Sequence, residues 1–236
     1  MSAVNSQTAY RAATGDCGAG SSTVLEKTDD GGATWSASAV STDMYSVTLL
    51  QAVTADYAYL VGLSGPSCTL DLTATYTSGQ GFGAYPERLP ATWRLSSVEN
   101  GELSSPSRVD VAPCESIVSL APRTDLAAGV LCSDGALMTT ADGGVTWSPG
   151  VQVPYAVSVS STDQTYVVAI AGSPACDGVG VLRTVGDASA TTAALSGCAA
   201  DLDPTASSIV VAAAQESVWL SDGTTTRVSV DSGVSF

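Results

Sequence analysis

The stretch that decides the fold is TADGGVTW, residues 140–147. It holds an acidic residue, two glycines, a hydroxyl side chain and a tryptophan within eight positions, which suits either a site or a tight turn. Two relatives occur elsewhere in the chain, TDDGGATW at 28–35 and SVDSGVSF at 229–236. All three follow the pattern Ser/Thr, any, Asp, any, Gly, any, Ser/Thr, Trp/Phe. Three ordered copies indicate an internal repeat.

The spacing of these copies predicts the length of the repeating unit. Asp30 and Asp142 are 112 residues apart, and Asp142 and Asp231 are 89 apart. Each gap accommodates two units of about 40–55 residues, the length of a four-stranded propeller blade. Eroded copies are expected at 184–192 and at 73–93; at 73–93 we expect an insertion before Thr92 and Trp93 to replace the turn. Five blades follow, at 1–40, 41–104, 105–150, 151–203 and 204–236.

The remaining sequence is typical of strands. Runs such as 45–53, 166–172 and 207–215 are short, β-branched or aromatic, and bounded by Gly, Pro, Asp or Ser. No segment shows a sustained 3.6-residue period with caps. We therefore expect a single all-β domain over 1–236, with about five small antiparallel four-stranded blades. The first blade begins near its second strand, and the last stops where its fourth should start. The alternatives are an unusual ring closure and a piece of a larger ring.

The three copies resemble Asp-box (BNR) repeats, the short motif of bacterial neuraminidases, sortilin-type receptors and photosystem-assembly propellers. The resemblance implies a β-propeller whose repeated turns lie at the outer periphery. Glycine supplies positive φ in such turns, Asp accepts hydrogen bonds from turn N–H groups, and the aromatic residue packs between sheets. The residues with these structural roles are Asp30, Gly32, Trp35, Asp142, Gly144, Trp147, Asp231, Gly233 and Phe236. The motif implies a fold and not a function.

A metal site at the motif is the alternative to a turn. Asp29, Asp30 and turn carbonyls are the candidate ligands, but calcium takes about six to eight oxygens. One or two carboxylates supply too few, so we expect neither a metal nor another cofactor.

Composition excludes several functions. The chain has 236 residues, 8 of them basic and 23 acidic, for a formal net charge of -15. That balance argues against nucleic-acid partners and against anionic membrane surfaces. The absence of histidine excludes Ser-His-Asp and Cys-His catalysis. There is no apolar run of membrane-spanning length and no visible signal peptide.

The six cysteines predict disulfides and an oxidising compartment. Their number is even and no pair has the CxxC spacing, so we expect a secreted or cell-surface protein. The alternative is a core of reduced cysteines. Expected strand positions predict the pairs Cys114–Cys132 at the open end of a hairpin, Cys176–Cys198 across two outer strands, and Cys17–Cys68 between equivalent turns of neighbouring blades.

The insertion SGQGFGAYPERLPATWRL, residues 78–95, is the candidate for ligand binding. Its glycines, aromatics and arginines are typical of a recognition loop, with Tyr85, Arg88 and Arg94 as the binding residues. The alternative is a surface loop pinned to its sheet by aromatics, with Trp93 as a blade tryptophan. The function expected is non-catalytic binding or scaffolding of a protein or carbohydrate by a monomer.

The alternative function is a glycoside hydrolase of the sialidase kind. The resemblance to neuraminidases would imply an arginine triad for a carboxylate, a Tyr nucleophile activated by Glu, and an Asp acid/base. The family's Phe/Tyr-Arg-Ile-Pro element has its nearest match at residues 87–90, Glu-Arg-Leu-Pro, which lies after the first copy and has Glu in the aromatic's place. A hydrolase also needs two carboxylates roughly 5–9.5 Å apart. The sequence does not place any two of the candidate carboxylates at that distance. The candidates are Glu87, Glu99, Glu102, Asp110, Glu115, Asp201 and Asp203.

The disulfide prediction is tested by counting thiols in the denatured, unreduced protein. We expect no titratable thiol, because each of the six cysteines has a partner. Six titratable thiols would support the reduced-core alternative, and a fully reduced sample serves as the control.

Overall fold

The computed structural model describes residues 1–13, 17, 23–40, 42–96, 102–185 and 195–236. Within these ranges the regular secondary structure is almost entirely antiparallel sheet, and the one helix is a 3-10 helix at Pro86–Ala91. No helix in this part of the chain is long and apolar enough to cross a membrane. The expected eroded copy at 184–192 lies mostly outside the described residues.

The first two sheets have four strands each, in sequence order from the inside outwards. Blade 1 consists of β1 (Ser2–Ala3), β2 (Ala9–Ala13), β3 (Val24–Thr28) and β4 (Ser36–Ala39). Blade 2 consists of β5 (Met44–Ala52), β6 (Ala58–Ser64), β7 (Thr69–Thr75) and β8 (Gly83–Ala84). The 3-10 helix and a separate two-stranded hairpin follow, made of β9 (Arg94–Leu95) and β10 (Leu103–Ser104).

The remaining three sheets continue the pattern. Blade 3 consists of β11 (Ile117–Pro122), β12 (Ala128–Cys132), β13 (Ala136–Thr140) and β14 (Val151–Gln152). Blade 4 consists of β15 (Ala156–Ser161), β16 (Thr165–Ala171), β17 (Val179–Val185) and β18 (Leu195–Ala199). Blade 5 has three strands, β19 (Val210–Ala214), β20 (Ser217–Ser221) and β21 (Thr226–Ser229).

The five sheets form a propeller, which confirms the fold expected from the repeats. The first strand of each blade is the inner one, and β1, β5, β11, β15 and β19 surround a central channel of about 330 Å³. β1 contacts β19, so blade 1 meets blade 5 and the ring closes. One expectation was wrong: blade 1 begins with a first strand of its own, two residues long, which is too short to be recognised by its pattern.

Serine and threonine side chains join the inner strands to one another. Ser119 exchanges hydrogen bonds with the backbone of Val159 on the next blade, at 3.2 Å each way. Ser158 and Ser160 accept the N–H groups of β19 at 3.2 and 3.0 Å. Neighbouring inner strands have no ladder between them, so these short hydroxyls satisfy backbone groups that would otherwise be buried unpaired. This explains why polar residues alternate along strands that face the channel.

The three acidic turns, 28–35, 140–147 and 229–236, share one set of hydrogen bonds. In the second of them the Thr140 hydroxyl accepts the N–H of Gly144 at 3.1 Å, while Asp142 accepts both the N–H and the hydroxyl of Thr146. Gly143 and Gly144 have φ of +73° and +83°, the left-handed conformation that glycine adopts without strain. The first and third turns repeat these bonds with their own residues.

Blade 2 has the same turn in a neutral form, at residues 75–82, TYTSGQGF. Gly79 donates to the Thr75 hydroxyl and Gly81 to the Thr77 hydroxyl, each at 2.9 Å. Ser78 and Gly79 take the two positive φ values, +57° and +84°. The expectation that an insertion replaces this turn was therefore wrong, because the turn is complete and the inserted residues follow it. Thr77 supplies the acceptor that Asp supplies elsewhere, which hides the copy from the sequence pattern.

Each turn is fixed to its own blade and packs on the structure before it. The fourth residue donates its N–H to a loop carbonyl between the first two strands of the same blade, as Gly143 does to Leu126 at 2.8 Å. The equivalent donors are Gly31, Ser78 and Ser232. A Cβ on the fifth residue would meet the preceding blade: Gly32 would meet Trp219 at 3.3 Å and Gly233 would meet Val181 at 3.1 Å. The turns therefore hold neighbouring blades together.

The turn of blade 3 packs on the segment that connects blades 2 and 3 instead of on blade 2. A Cβ on Gly144 would lie 2.7 Å from Val111, and Trp147 Nε1 donates to the Val111 carbonyl at 2.9 Å. Trp93 and Leu95 of the insertion form one apolar cluster with Leu103 of β10 and with blade 3. The β9–β10 hairpin and the residues packed against it thus form a wedge between blades 2 and 3. Trp93 lies inside this wedge and follows no turn of the repeat; Phe82 takes the aromatic position of blade 2 and packs against blade 1.

Three disulfides are present, and they join the pairs expected from the sequence. Cys17–Cys68 links the loops after the second strands of blades 1 and 2, and Cys114–Cys132 closes the start of blade 3. Cys176–Cys198 lies within blade 4. All three occupy the face of the propeller opposite the repeated turns, so the turns and the disulfides hold different faces.

Trp219 is expected to be the most sensitive position for ring closure. Its fully buried ring packs edge-on to Trp35 at 6.4 Å, and its Nε1 donates to the Asn5 carbonyl at 2.9 Å. Trp219→Ala should lower the free energy of unfolding by about 3–5 kcal/mol, measured by urea denaturation. Trp219→Phe should cost less, and the exposed Val234→Ala serves as the control. A loss from Trp219→Ala no larger than that of the control would contradict this account of closure.

The acidic turns predict a stability that falls in acid. Hydrogen bonds from the Thr146 backbone and side chain lower the pKa of Asp142 from 3.8 to about 2. Because the folded-state pKa is depressed, the stabilisation is present above about pH 4 and is lost as the pH falls towards 2. Asp142→Asn should therefore lower the melting temperature at pH 7 and change it progressively less between pH 4 and 2.

The neutral turn supplies the matched control for this titration. Thr77→Val removes an uncharged acceptor, so its effect on the melting temperature should not change between pH 4 and 2. A difference between Asp142→Asn and the parent protein that is equally large at pH 7 and pH 2 would contradict the assignment.

Candidate functional site

Four tyrosines and an arginine form one cluster beside the neutral turn, which we call the tyrosine surface: Tyr57, Tyr59, Tyr76, Tyr85 and Arg88. Tyr57 and Tyr76 stack with centroids 4.6 Å apart and an interplanar angle of 8°. Tyr85 packs edge-on to Tyr76 at 5.9 Å. The Arg88 guanidinium lies 4.5 Å from the Tyr85 centroid and donates a hydrogen bond to the Tyr76 hydroxyl. Tyr76 remains 44% exposed, so the cluster forms part of the surface.

The local backbone fixes these side chains. Tyr57 ends the turn after β5, with its N–H bound to the Thr54 hydroxyl at 3.0 Å, and Tyr76 lies within the neutral turn. Tyr85 donates its N–H to the Leu72 carbonyl at 2.7 Å and precedes the 3-10 helix that carries Arg88. A Cβ on Gly83 would meet the Tyr85 ring at 3.0 Å, so this position needs glycine for space. The surface is therefore preorganised by turns.

The electrostatics of the cluster raise the pKa values of two of its tyrosines and of its arginine. Burial is the main cause that raises the pKa of Tyr59 to about 12, and the neighbouring Tyr57 contributes to the same shift. Burial and the adjacent Tyr76 also raise the pKa of Tyr57. The hydrogen bond to Tyr76 raises the pKa of Arg88 above its ordinary value. At neutral pH the tyrosine surface thus presents hydroxyls and a positive charge.

The structure brings Tyr85 and Arg88 together but puts Arg94 elsewhere. Arg94 donates through one terminal nitrogen, Nη1, to the carbonyls of Leu89 and Thr92, at 3.2 Å each. It lines a separate cleft of about 510 Å³ with Arg108, which the sequence analysis did not single out. Burial lowers the pKa of Arg94. Tyr57, Tyr59 and Tyr76 were also not identified from the sequence, although Tyr57 and Tyr59 lie two residues apart at the start of β6.

A second cleft of about 390 Å³ links the tyrosine surface to the Arg94 cleft. Tyr59 lines it at one side and Pro106, which also lines the Arg94 cleft, at the other. Arg123 and Asp125 lie between them, with Arg123 packed over the Tyr166 ring at 5.5 Å. We call the tyrosine surface and the two clefts together the blade 2–3 surface. It carries four of the chain's eight basic residues: Arg88, Arg94, Arg108 and Arg123.

The described lining of the central channel lacks the side chains that a sialidase-like hydrolase needs. Its described lining is apolar or carries hydroxyls, as with Leu49, Leu120 and Ser158, and includes no arginine, carboxylate or tyrosine. The other arginines are engaged at separate places: Arg11 pairs with Glu26, Arg227 with Asp201, and Arg183 donates to Ser232 and Thr165. Of the candidate acids, Glu99 lies outside the described residues. In the described part of the chain, no group of three or more acidic or Cys side chains could hold a metal ion.

Comparison with known proteins assigns no family to this chain. No protein-family model and no curated protein matches the chain. Among solved structures, YCF48 bound to a D1 peptide is 19% identical, with a TM-score of 0.46 over 100% of this chain and 82% of that one. The GH74 xyloglucanase from Xanthomonas campestris is 12% identical, with a TM-score of 0.33 over 97% of this chain and 36% of that one. An Aleuria aurantia lectin in complex with Fucα1-6GlcNAc is 9% identical, with a TM-score of 0.31 over 96% of this chain and 80% of that one.

Proposed function

We propose that the protein is a non-catalytic, extracytoplasmic binding module that takes a protein ligand on the blade 2–3 surface. The observation that carries this proposal is the concentration of half of its basic residues and half of its eight tyrosines there, in a chain of net charge -15. Tyrosine and arginine are the residues that most often dominate binding energy at protein interfaces. The three disulfides support an oxidising location outside the cytoplasm.

Binding is favoured over hydrolysis by the distribution of charged groups. A sialidase-like site would need converging arginines with a tyrosine and carboxylates on the central face, and the described channel lining contains none of these side chains. On the blade 2–3 surface burial raises the pKa of Tyr57 and Tyr59, whereas a nucleophilic tyrosine needs a lowered pKa or an adjacent base. The surface can therefore bind a ligand without a group to activate attack.

A protein ligand is favoured over a carbohydrate by the arrangement of the rings. Sugars bind on open aromatic faces, but Tyr57 and Tyr76 stack on each other and Arg88 covers Tyr85. These contacts cover one face of each of the three rings, and the surface also offers hydroxyls and a cation, which suit backbone and side-chain polar groups of a polypeptide. The exposed Val53 and Val109 add apolar contacts at two places on or beside the surface. The monomeric state stays a prediction.

Binding to a peptide array tests this function. Peptides selected by the parent protein should bind about tenfold more weakly to Tyr76→Ala and Arg88→Ala, because each change removes a stacked partner and its hydrogen bond, and about 1.4 kcal/mol is tenfold in affinity. Affinity would be measured by titration calorimetry on the selected peptides.

Matched controls lie on other blades. Arg227→Ala removes an exposed arginine of blade 5, and Tyr155→Asn replaces a tyrosine that is 53% exposed on blade 4; neither should change peptide affinity. The proposal fails if no peptide binds while a glycan array gives saturable binding, or if a fluorogenic sialoside is turned over. Equal losses from the surface and the control variants would also contradict it.

A further inference from the structure

We propose that the cleft between Arg94 and Arg108 is a binding site for a carboxylate group. Within the described residues its lining is Pro90, Arg94, Ser105, Pro106, Ser107 and Arg108, with Val109 at the rim, and none of these is acidic. Two guanidinium groups thus share one cleft without a lining carboxylate, in a chain where acidic residues outnumber basic ones almost threefold. Like charges that line the same cleft favour an anionic ligand.

The hydrogen bonds of Arg94 favour a planar anion. Its Nη1 is occupied by the carbonyls of Leu89 and Thr92, which hold the guanidinium in place. No described residue accepts from its Nε or Nη2. The edge formed by those two nitrogens matches two coplanar oxygens, which is the bidentate geometry of an arginine–carboxylate pair. The ion pairs of the described chain involve Arg11, Lys27 and Arg227, so none neutralises this cleft.

A buried serine supplies an independent observation. Ser105 lines the cleft, its residue is 1% exposed, and its Oγ has no hydrogen-bond partner among the described residues. A buried hydroxyl without a partner destabilises a fold, so such groups in native proteins call for a functional explanation. A ligand oxygen in the cleft would accept this donor.

The loop that carries these groups is preorganised. Ser105 and Arg108 exchange backbone hydrogen bonds at 2.9 and 3.4 Å, and Pro106 between them has a fixed φ. The Ser107 hydroxyl lies 3.0 Å from the position that a Cβ on Gly143 would take, so the loop rests on the turn of blade 3. Arg108 and the serine hydroxyls are thus presented by a closed turn, which reduces the entropy lost on binding.

The test uses titration calorimetry at low salt with capped triglutamate, capped triglutamine as the neutral control, and inorganic phosphate. We expect saturable binding of triglutamate that weakens with salt, and weaker or no binding of the other two. Arg108→Gln should weaken triglutamate binding about tenfold or more, whereas Arg227→Gln on blade 5 should leave it unchanged. Equal binding of triglutamine, tighter binding of phosphate, no saturable binding, or equal effects of the two arginine variants would overturn the proposal.

Ser105→Ala separates a ligand role from a structural one. Because the hydroxyl has no partner among the described residues, its removal should leave the melting temperature equal or higher while weakening triglutamate binding several-fold. A lower melting temperature with unchanged binding would assign the hydroxyl to the fold and count against the site. Trigalacturonate in place of triglutamate tells a sugar acid from a peptide as the source of the carboxylate: the source is the probe whose binding depends on Arg108 and Ser105.

This site occupies one cleft of the blade 2–3 surface, and its test is separate from the test of the tyrosine surface in the proposed function. Tyr76→Ala should not change triglutamate affinity, because Tyr76 does not line the cleft. If the tyrosine surface binds no peptide but triglutamate binding still depends on Arg108, the proposed function fails and the carboxylate site remains. The converse result, peptide binding that depends on Tyr76 and not on Arg108, removes the carboxylate site alone.

Discussion

The ring depends on the hydrogen bond from the fourth residue of each repeated turn to a loop carbonyl of its own blade, such as Ser78 to Asp56. This hydrogen bond fixes the turn, so that the fifth residue of the turn can pack against the preceding blade or, in blade 3, against the wedge. The left-handed conformation of both residues makes that approach possible. In the described chain, serines such as Ser119 and Ser158 join neighbouring inner strands, and apolar clusters such as that of Val181 and Val218 pack the sheets together, so the turns add to this contact between blades.

The neutral turn of blade 2 shows what in the motif is essential. Thr77 replaces the aspartate, yet the hydroxyl of Thr75 and the backbone hydrogen bonds have the same pattern as in the acidic turns. The charge therefore adds pH-dependent stability to a turn that geometry already defines. The inserted residues after this turn form a wedge between blades 2 and 3, and the wedge creates the clefts in which the arginines gather.

Sequence was sufficient for the features that depend on local chemistry. The acidic turns, the propeller and the cysteine partners each follow from residues whose spacing reports the strand order. The neutral turn was missed because Thr77 and Gly81 remove the two letters that identify the pattern. Arg94 was grouped with Tyr85 and Arg88 because it is close in sequence, but the 3-10 helix separates them. Tyr57 and Arg108 join the surface through long-range packing, which local pattern does not encode.

The central claim is that turn geometry, with or without the aspartate, ties blades 1, 2, 3 and 5 into the ring. Native-state hydrogen exchange measured by NMR tests it most directly at the amide of Ser78. The account predicts that this amide is protected to a degree similar to those of Gly31, Gly143 and Ser232, because all four donate the same hydrogen bond. Exchange of Ser78 at the rate of an exposed loop, with the other three protected, would contradict it.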